Sequence, residues 1–313
     1  MMNRRTFIKS VLSTGSKRLG LCVLACSALV NTCMAATPKV NVSDPQWQFW
    51  LNNAPLSQQQ AQQQAQLNAN EQGFIRKLQP MLEAQNYTAA AAKFKTRTLD
   101  EDSTALQLLR GQINVQLKNY SDAKAAFKAV LKTLPTEQRA HRSLAVVYLM
   151  EQDFNNAQTH LSRALELGAT DAETYAQLAY VNLKSERFFA AVAGYQQALF
   201  LKPEQQQWQQ GLVFALSQSG QYSPAQALVE DMLKSQPQNT DLWLLRSQIA
   251  LQQQRYADGL VSLEAALRLG NQDPSNRLLA AQLHLKNGSQ TRAVNLLASN
   301  LKHWQKSDTA TLN

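Results

Sequence analysis

Ala172–Pro203, AETYAQLAYVNLKSERFFAAVAGYQQALFLKP, is the stretch that decides the fold. It reads as two short amphipathic helices. Tyr175, Leu178, Ala179 and Leu183 recur at helical spacing on the first. Phe188, Ala191, Tyr195 and Ala198 do so on the second, and Pro203 stops it. Small residues at Ala179, Ala191 and Ala198 let two backbones approach while the rings fill the space between them. A hairpin this short cannot bury its own apolar face, so it needs neighbours built the same way.

The chain supplies them on a ruler. One ring recurs at Tyr87, Tyr120, Phe154, Phe188, Tyr222 and Tyr256, at intervals of 33, 34, 34, 34 and 34. Three residues after each ring stands a small residue: Ala90, Ala123, Ala157, Ala191, Ala225, Gly259. Seven after it comes a larger apolar one, and eleven after it a leucine in five of the six units. Pro135, Pro203 and Pro237 close three units at one place. Ala281, Ala293, Leu297 and Leu301 continue the phase into a seventh, with Gln290 at the ring position. Ser121 and Ser223-Pro224 are expected to open second helices, and Asp273-Pro274 a first one.

This pattern resembles the tetratricopeptide repeat family. The resemblance rests on the small positions Gly111, Ala145 and Ala179, the Tyr/Phe ruler, the alanine column after it, the closing prolines, and the first-helix aromatics Tyr175 and Trp243. It covers residues 71–306. Val213, Ser247 and Gly259 depart mildly from the family pattern. The resemblance implies an all-α fold, a right-handed α-solenoid of about seven helix hairpins whose first helices line a concave groove.

Low glycine and proline content (11 and 9 of 313 residues) suits a helical chain. The formal charge is +9, but five of the 31 basic residues lie in residues 1–36, which hold no acid. The remaining 26 basic and 22 acidic side chains make an ordinary surface, not a nucleic-acid footprint. Residues 1–36 run basic, apolar (LCVLACSALV) and then small (MAA), the layout of an export signal cut after Ala35 or Ala36. Asn3–Lys9, NRRTFIK, resembles a twin-arginine signal, and general secretion is the other route; both lead to the periplasm. A lipoprotein reading through Cys26 and a retained anchor are lesser alternatives. Cys22, Cys26 and Cys33 all fall in this segment, so cleavage leaves no cysteine chemistry. Residues 37–70 read as a helical, Gln-rich extension. Trp47, Phe49 and Trp50 there could dock a partner or cover the open end of the array. Residues 307–313 form a tail.

Nothing in the chain carries catalytic spacing. His141, His160, His284 and His303 read as lying in different repeats, without metal-type intervals. No H-E-x-x-H, phosphate loop or nucleophile elbow occurs. Asp100-Glu101-Asp102 suits the capping of a following helix better than acid–base work. The reading is therefore of a non-enzyme with no cofactor and no metal, whose partners are proteins rather than nucleic acid. Any membrane contact would come through the N-terminal segment. In the groove implied by the resemblance, one column is Gln112, Val146, Tyr180, Phe214, Gln248, Gln282. Val146, Tyr180 and Phe214, flanked by Arg142, Met150 and Lys184, form an expected apolar strip with basic edges. The same column lacks the Lys/Asn clamp with which chaperone-binding relatives hold a carboxylate. Phe189 and Phe200 are extra aromatics in the central unit, expected to be covered by the next hairpin, with a second binding patch as the lesser alternative. The function expected is a periplasmic scaffold or assembly factor holding a partner segment in the groove. The alternative is a structural adaptor of an envelope secretion, polysaccharide-export or transport complex, using the N-terminal extension or the convex face.

Overall fold

A computed structural model of the chain describes residues 37–39 and 69–298. Residues 1–36, Trp47, Phe49, Trp50 and the tail 307–313 lie outside the described residues. Among those described there are helices and no strand. They are α1 (Ala69–Glu83), α2 (Tyr87–Phe94), α3 (Thr104–Gln116), α4 (Tyr120–Thr133), α5 (Gln138–Met150), α6 (Phe154–Glu166) and α7 (Ala172–Lys184). There follow α8 (Phe188–Leu201), α9 (Gln206–Gln218), α10 (Tyr222–Ser235), α11 (Thr240–Gln252), α12 (Tyr256–Arg268), α13 (Pro274–Lys286) and α14, which starts at residue 290. They divide into two compact units at Gly220, with residues 37–39 belonging to the second.

The ruler marks helix starts. Each of its six rings is the first residue of a second helix, one position earlier than Ser121 and Ser223 suggest. Each hairpin turns through a left-handed residue two places before the ring position: Gln85, Lys118, Gln152, Glu186, Gly220, Gln254 and Gly288, with φ of 54–78°. The next N–H reaches back to the first helix, as from Asp153 to Tyr148 C=O and from Arg187 to Asn182 C=O, both 2.8 Å. This closure satisfies carbonyls that a helix end leaves open. Only two of the seven turn residues are glycine, although a side chain costs about 1 kcal/mol in this conformation. Gln152→Gly and Glu186→Gly should each raise the unfolding free energy by about 0.5–1 kcal/mol, net of the freedom glycine adds to the unfolded chain. Urea titration measures this; a loss in both variants would show that something other than backbone strain governs the turn.

Between hairpins, from α4 onward, the chain uses two joints. Pro135, Pro203 and Pro237 follow α4, α8 and α10, as the sequence indicates. After α6 and α12 the joint is instead a left-handed glycine, Gly168 (φ 91°) or Gly270 (φ 100°). Asp273 caps α13 through the Ser275 N–H at 2.8 Å, with Pro274 in the first turn.

Packing follows the columns. Ala90, Ala123, Ala157, Ala191 and Ala225 have no exposure, and Phe127, Leu161, Val229 and Leu263 are equally closed. Gly111 on α3 lies under Phe127 of α4, where an added Cβ would sit 2.4 Å from the ring. Gly194 on α8 brings that helix onto α7, where an added Cβ would lie 2.9 Å from the Ala179 Cβ. Two departures from the family pattern turn out to be partners: the buried Ser247 hydroxyl donates to the Gly259 carbonyl at 2.7 Å. In the second unit Leu244, Leu260, Leu263, Leu279 and Leu283 form one cluster. The first hairpin closes on Leu78, Phe94, Leu106 and Ile113, with Phe74 set edge-on to Phe94 at 5.0 Å.

The acidic run does not cap α3. Ser103 does, its hydroxyl accepting the Leu106 N–H, while buried Glu71 of α1 takes the Ser103 N–H at 2.8 Å. The Asp102 carboxylate, with no side-chain exposure, pairs with Arg97 at 2.6 Å and Arg110 at 3.4 Å. A buried carboxylate needs such partners, and the pairing fixes the loop between α2 and α3.

Candidate partner-binding surfaces

The six residues of the expected strip fall on α5, α7 and α9, all in the first unit. They are not equally open. Val146 is 6% exposed and Tyr180 4%. The Tyr180 ring sits edge-on to Phe154, the ruler ring of the preceding hairpin, with 6.2 Å between centroids. Lys184 lies over the same ring, its Nζ 5.2 Å from the centroid. Arg142 donates to Asp171 at 3.0 Å, and Asp171 caps α7 through the Thr174 N–H and hydroxyl. Arg142 thus ties α5 to the start of α7. The open part of the column is Met150 and Lys184, with Phe214 half-buried.

More apolar surface lies on α8. Its sequence, FFAAVAGYQQALFL, has no charged side chain. Ala191, Val192, Tyr195 and Ala198 face inward and are buried. Phe189 is 70% exposed and Phe200 82%, so the next hairpin does not cover them. Eleven residues is close to three turns, which puts both rings on one face about 16 Å apart. Ala193 and Gln196 lie between them, also exposed.

Two clusters of titratable groups were not legible in the sequence. His141 and His160 meet within one hairpin, α5 with α6, their Nδ1 atoms 2.9 Å apart. Because Pro135 C=O can only accept, His141 uses Nε2–H toward it at 3.1 Å. In the neutral pair His160 therefore donates through Nδ1–H to His141 Nδ1. The His160 ring also stacks on Tyr148, centroids 5.6 Å apart. Burial foremost, then His141 and Lys128, holds the His160 pKa down at about 4, against a usual 6.5. The unfolded chain therefore binds the proton more readily. Stability from this site is complete above pH 6.5 and is lost as pH falls toward 4. The displacement corresponds to at most about 3 kcal/mol, and about 1–2 for a half-exposed ring. Urea midpoints across that range should slope accordingly, and His160→Gln should flatten the slope. An equal slope in the variant would place the effect elsewhere.

The second cluster ties the last helices together. Glu264 of α12, 7% exposed, receives Arg292 at 2.7 and 2.9 Å and His284 Nε2–H at 2.8 Å. Arg292 chiefly, with His284, holds its carboxyl below the usual range against the opposing effect of burial. These groups brace the fold; among the described residues no group of three or more His, Cys, Asp or Glu could hold a metal ion.

Tetratricopeptide repeat profiles match residues 82–136, 115–179 and 182–249, which together span more than half of the chain. The chain belongs to the tetratricopeptide repeat family, whose members bind protein partners. It is 30% identical over 116 residues to the Tetratricopeptide repeat-containing protein trd-1 of Caenorhabditis elegans, and the match spans 37% of this chain and 15% of that protein. Similar solved structures include YrrB, a TPR protein with an unusual peptide-binding site (16% identity, TM-score 0.54, 64% of this chain and 97% of that one). A tetratricopeptide repeat protein from Parabacteroides merdae is 12% identical, with TM-score 0.53 over 74% of this chain and 92% of that one. PilW, a type IV pilus biogenesis factor, is 17% identical, with TM-score 0.53 over 67% and 98%. These likenesses establish the α-solenoid fold of helix hairpins.

Proposed function

We propose that this chain is a non-catalytic scaffold or assembly factor of the periplasm, and that the solvent face of α8 is its main docking surface for a protein partner. The observation that carries the reading is the exposure of Phe189 and Phe200 on an uncharged helix face. Burying one such ring contributes about 2 kcal/mol, and aromatic anchors of this kind dominate interface energetics. The export-type layout of residues 1–36 supports the compartment. Solved proteins of the same fold, one with a peptide-binding site and one a pilus biogenesis factor, support a role in holding or assembling other proteins.

A second reading keeps the groove. Met150 and Lys184 are open at the ends of α5 and α7, beside half-buried Phe214, with Arg142, Val146 and Tyr180 behind them. That surface suits a segment carrying apolar and acidic side chains. The adaptor role through Trp47, Phe49 and Trp50 rests on residues outside those described.

One experiment separates the surfaces. Phe189→Ser with Phe200→Ser should lose the partners that the tagged chain captures from an envelope extract, with helicity unchanged. Met150→Ser with Lys184→Glu should keep them. The reverse outcome transfers the site to the groove and ends the α8 reading. Fractionating the same cells, with Arg4→Lys and Arg5→Lys as a control for the twin-arginine route, tests the compartment.

A further inference from the structure

Residues 37–39 lie against the start of α13, across 237 positions of sequence. Asn276, which has no exposure, holds the backbone of Lys39 by both its polar groups. Its Oδ1 accepts the Lys39 N–H at 2.8 Å, and its Nδ2 donates to the Lys39 C=O at 3.4 Å. Nδ2 also donates to Asn271 Oδ1 at 3.1 Å, which fixes the amide plane. Pro38 is buried, and Lys39 Nζ lies 3.4 Å from Asp273 Oδ2.

We propose that Asn276, Asp273 and the surface covering Pro38 form a peptide-binding seat for extended segments carrying proline followed by a basic residue, and that Thr37–Lys39 is its resident ligand. The reason is geometric. One side-chain amide can meet the N–H and C=O of a single residue only when both point the same way, as they do in a strand and not in a helix. That contact reads backbone and is blind to the side chain it holds, so selectivity comes from the flanks. Pro38 supplies most of it, because its ring is buried and its φ is already fixed. Asp273 adds a preference for a cation. That preference is the weaker element, since the Lys39 side chain is 72% exposed. When the seat empties, Asn276 Oδ1 loses the Lys39 N–H that it accepts, so the seat favours being filled. The resident segment is tethered to the same chain and competes at the high effective concentration of an intramolecular ligand. A partner segment of the same chemistry must therefore be presented at high local concentration to displace it.

The test uses the full chain and a synthetic peptide of residues 36–42, ATPKVNV, followed by the NMR resonances of the Asn276 side-chain amide. Pro38→Gly with Lys39→Glu in the chain weakens the resident ligand. This variant should bind the peptide at least tenfold more tightly than the native chain. A peptide N-methylated at the lysine nitrogen lacks the N–H that Asn276 accepts, and should bind at least tenfold more weakly without any change to the protein. Replacing the peptide's proline by alanine should weaken binding as well. Equal binding to native and variant chains, equal binding of the methylated peptide, or no binding to the variant at millimolar peptide would each overturn the proposal.

Discussion

Tyr195→Ala should destabilise the unit spanning residues 69–219 by about 3–5 kcal/mol, the largest loss expected of any single change considered. The ring is 2% exposed and is among the largest fully buried side chains of the protein. Gly211 of α9 lies directly on it, so close that an added Cβ would stand 2.6 Å from Cζ and 2.8 Å from the hydroxyl. Gly211 cannot fill the space the ring leaves, because it has no side chain and its backbone is held in a helix. Burial also pushes the phenol pKa well above its usual value, so the group is a neutral wedge under ordinary conditions. Tyr195→Phe keeps the wedge and should cost about 1 kcal/mol or less. Because each hairpin leans on its neighbours, the loss should spread through α7–α9 rather than stay local. Urea unfolding of both variants measures it, and a cost for alanine below about 1.5 kcal/mol would mean that the helices collapse onto the gap.

The second large effect comes from adding a single methyl. Gly111→Ala places a Cβ 2.4 Å from the Phe127 ring, which has no exposure. Overpacking of this kind costs about 1–3 kcal/mol, and a rigid ring puts this site at the upper end. The array itself indicates the remedy. At the equivalent positions one unit later stand Ala145 and Leu161, a larger small residue matched with a smaller large one. Phe127→Leu should therefore cost less in the Gly111→Ala background than in the native chain, with a coupling of about 1 kcal/mol or more in the double-mutant cycle. Additive costs would show that the clash is relieved by backbone movement instead.

The fold was legible because the same requirement is written many times. Ring, small residue and large apolar residue keep one register through Tyr87, Tyr120, Phe154, Phe188, Tyr222 and Tyr256, and the second helices begin on those rings. What could not be read depends on non-repeating neighbours. Tyr180 lies in the expected groove column, but Phe154 and Lys184 close over its ring, and a residue's own periodicity does not report its cover. Phe189 and Phe200 fit a buried pattern by composition, yet α8 already spends its inward face on Ala191, Tyr195 and Ala198. The left-handed turns hide behind Lys118, Gln152, Glu186 and Gln254, because tertiary packing imposes a conformation that only glycine would have advertised. The contacts of His141 with His160 and of Lys39 with Asn276 have no motif spacing at all.

The seven left-handed turns also bear on how such a chain can change length. Each second helix starts at a fixed offset from its left-handed residue, whatever that residue is. Gain or loss of a whole 34-residue unit leaves every surviving turn with its own geometry. Gain or loss of one residue between Glu186 and Phe188 would instead rotate α8 by about 100°, carrying Phe189 and Phe200 away from solvent and Tyr195 out of its seat under Gly211. Heredity can therefore edit this protein by the paragraph but not by the letter.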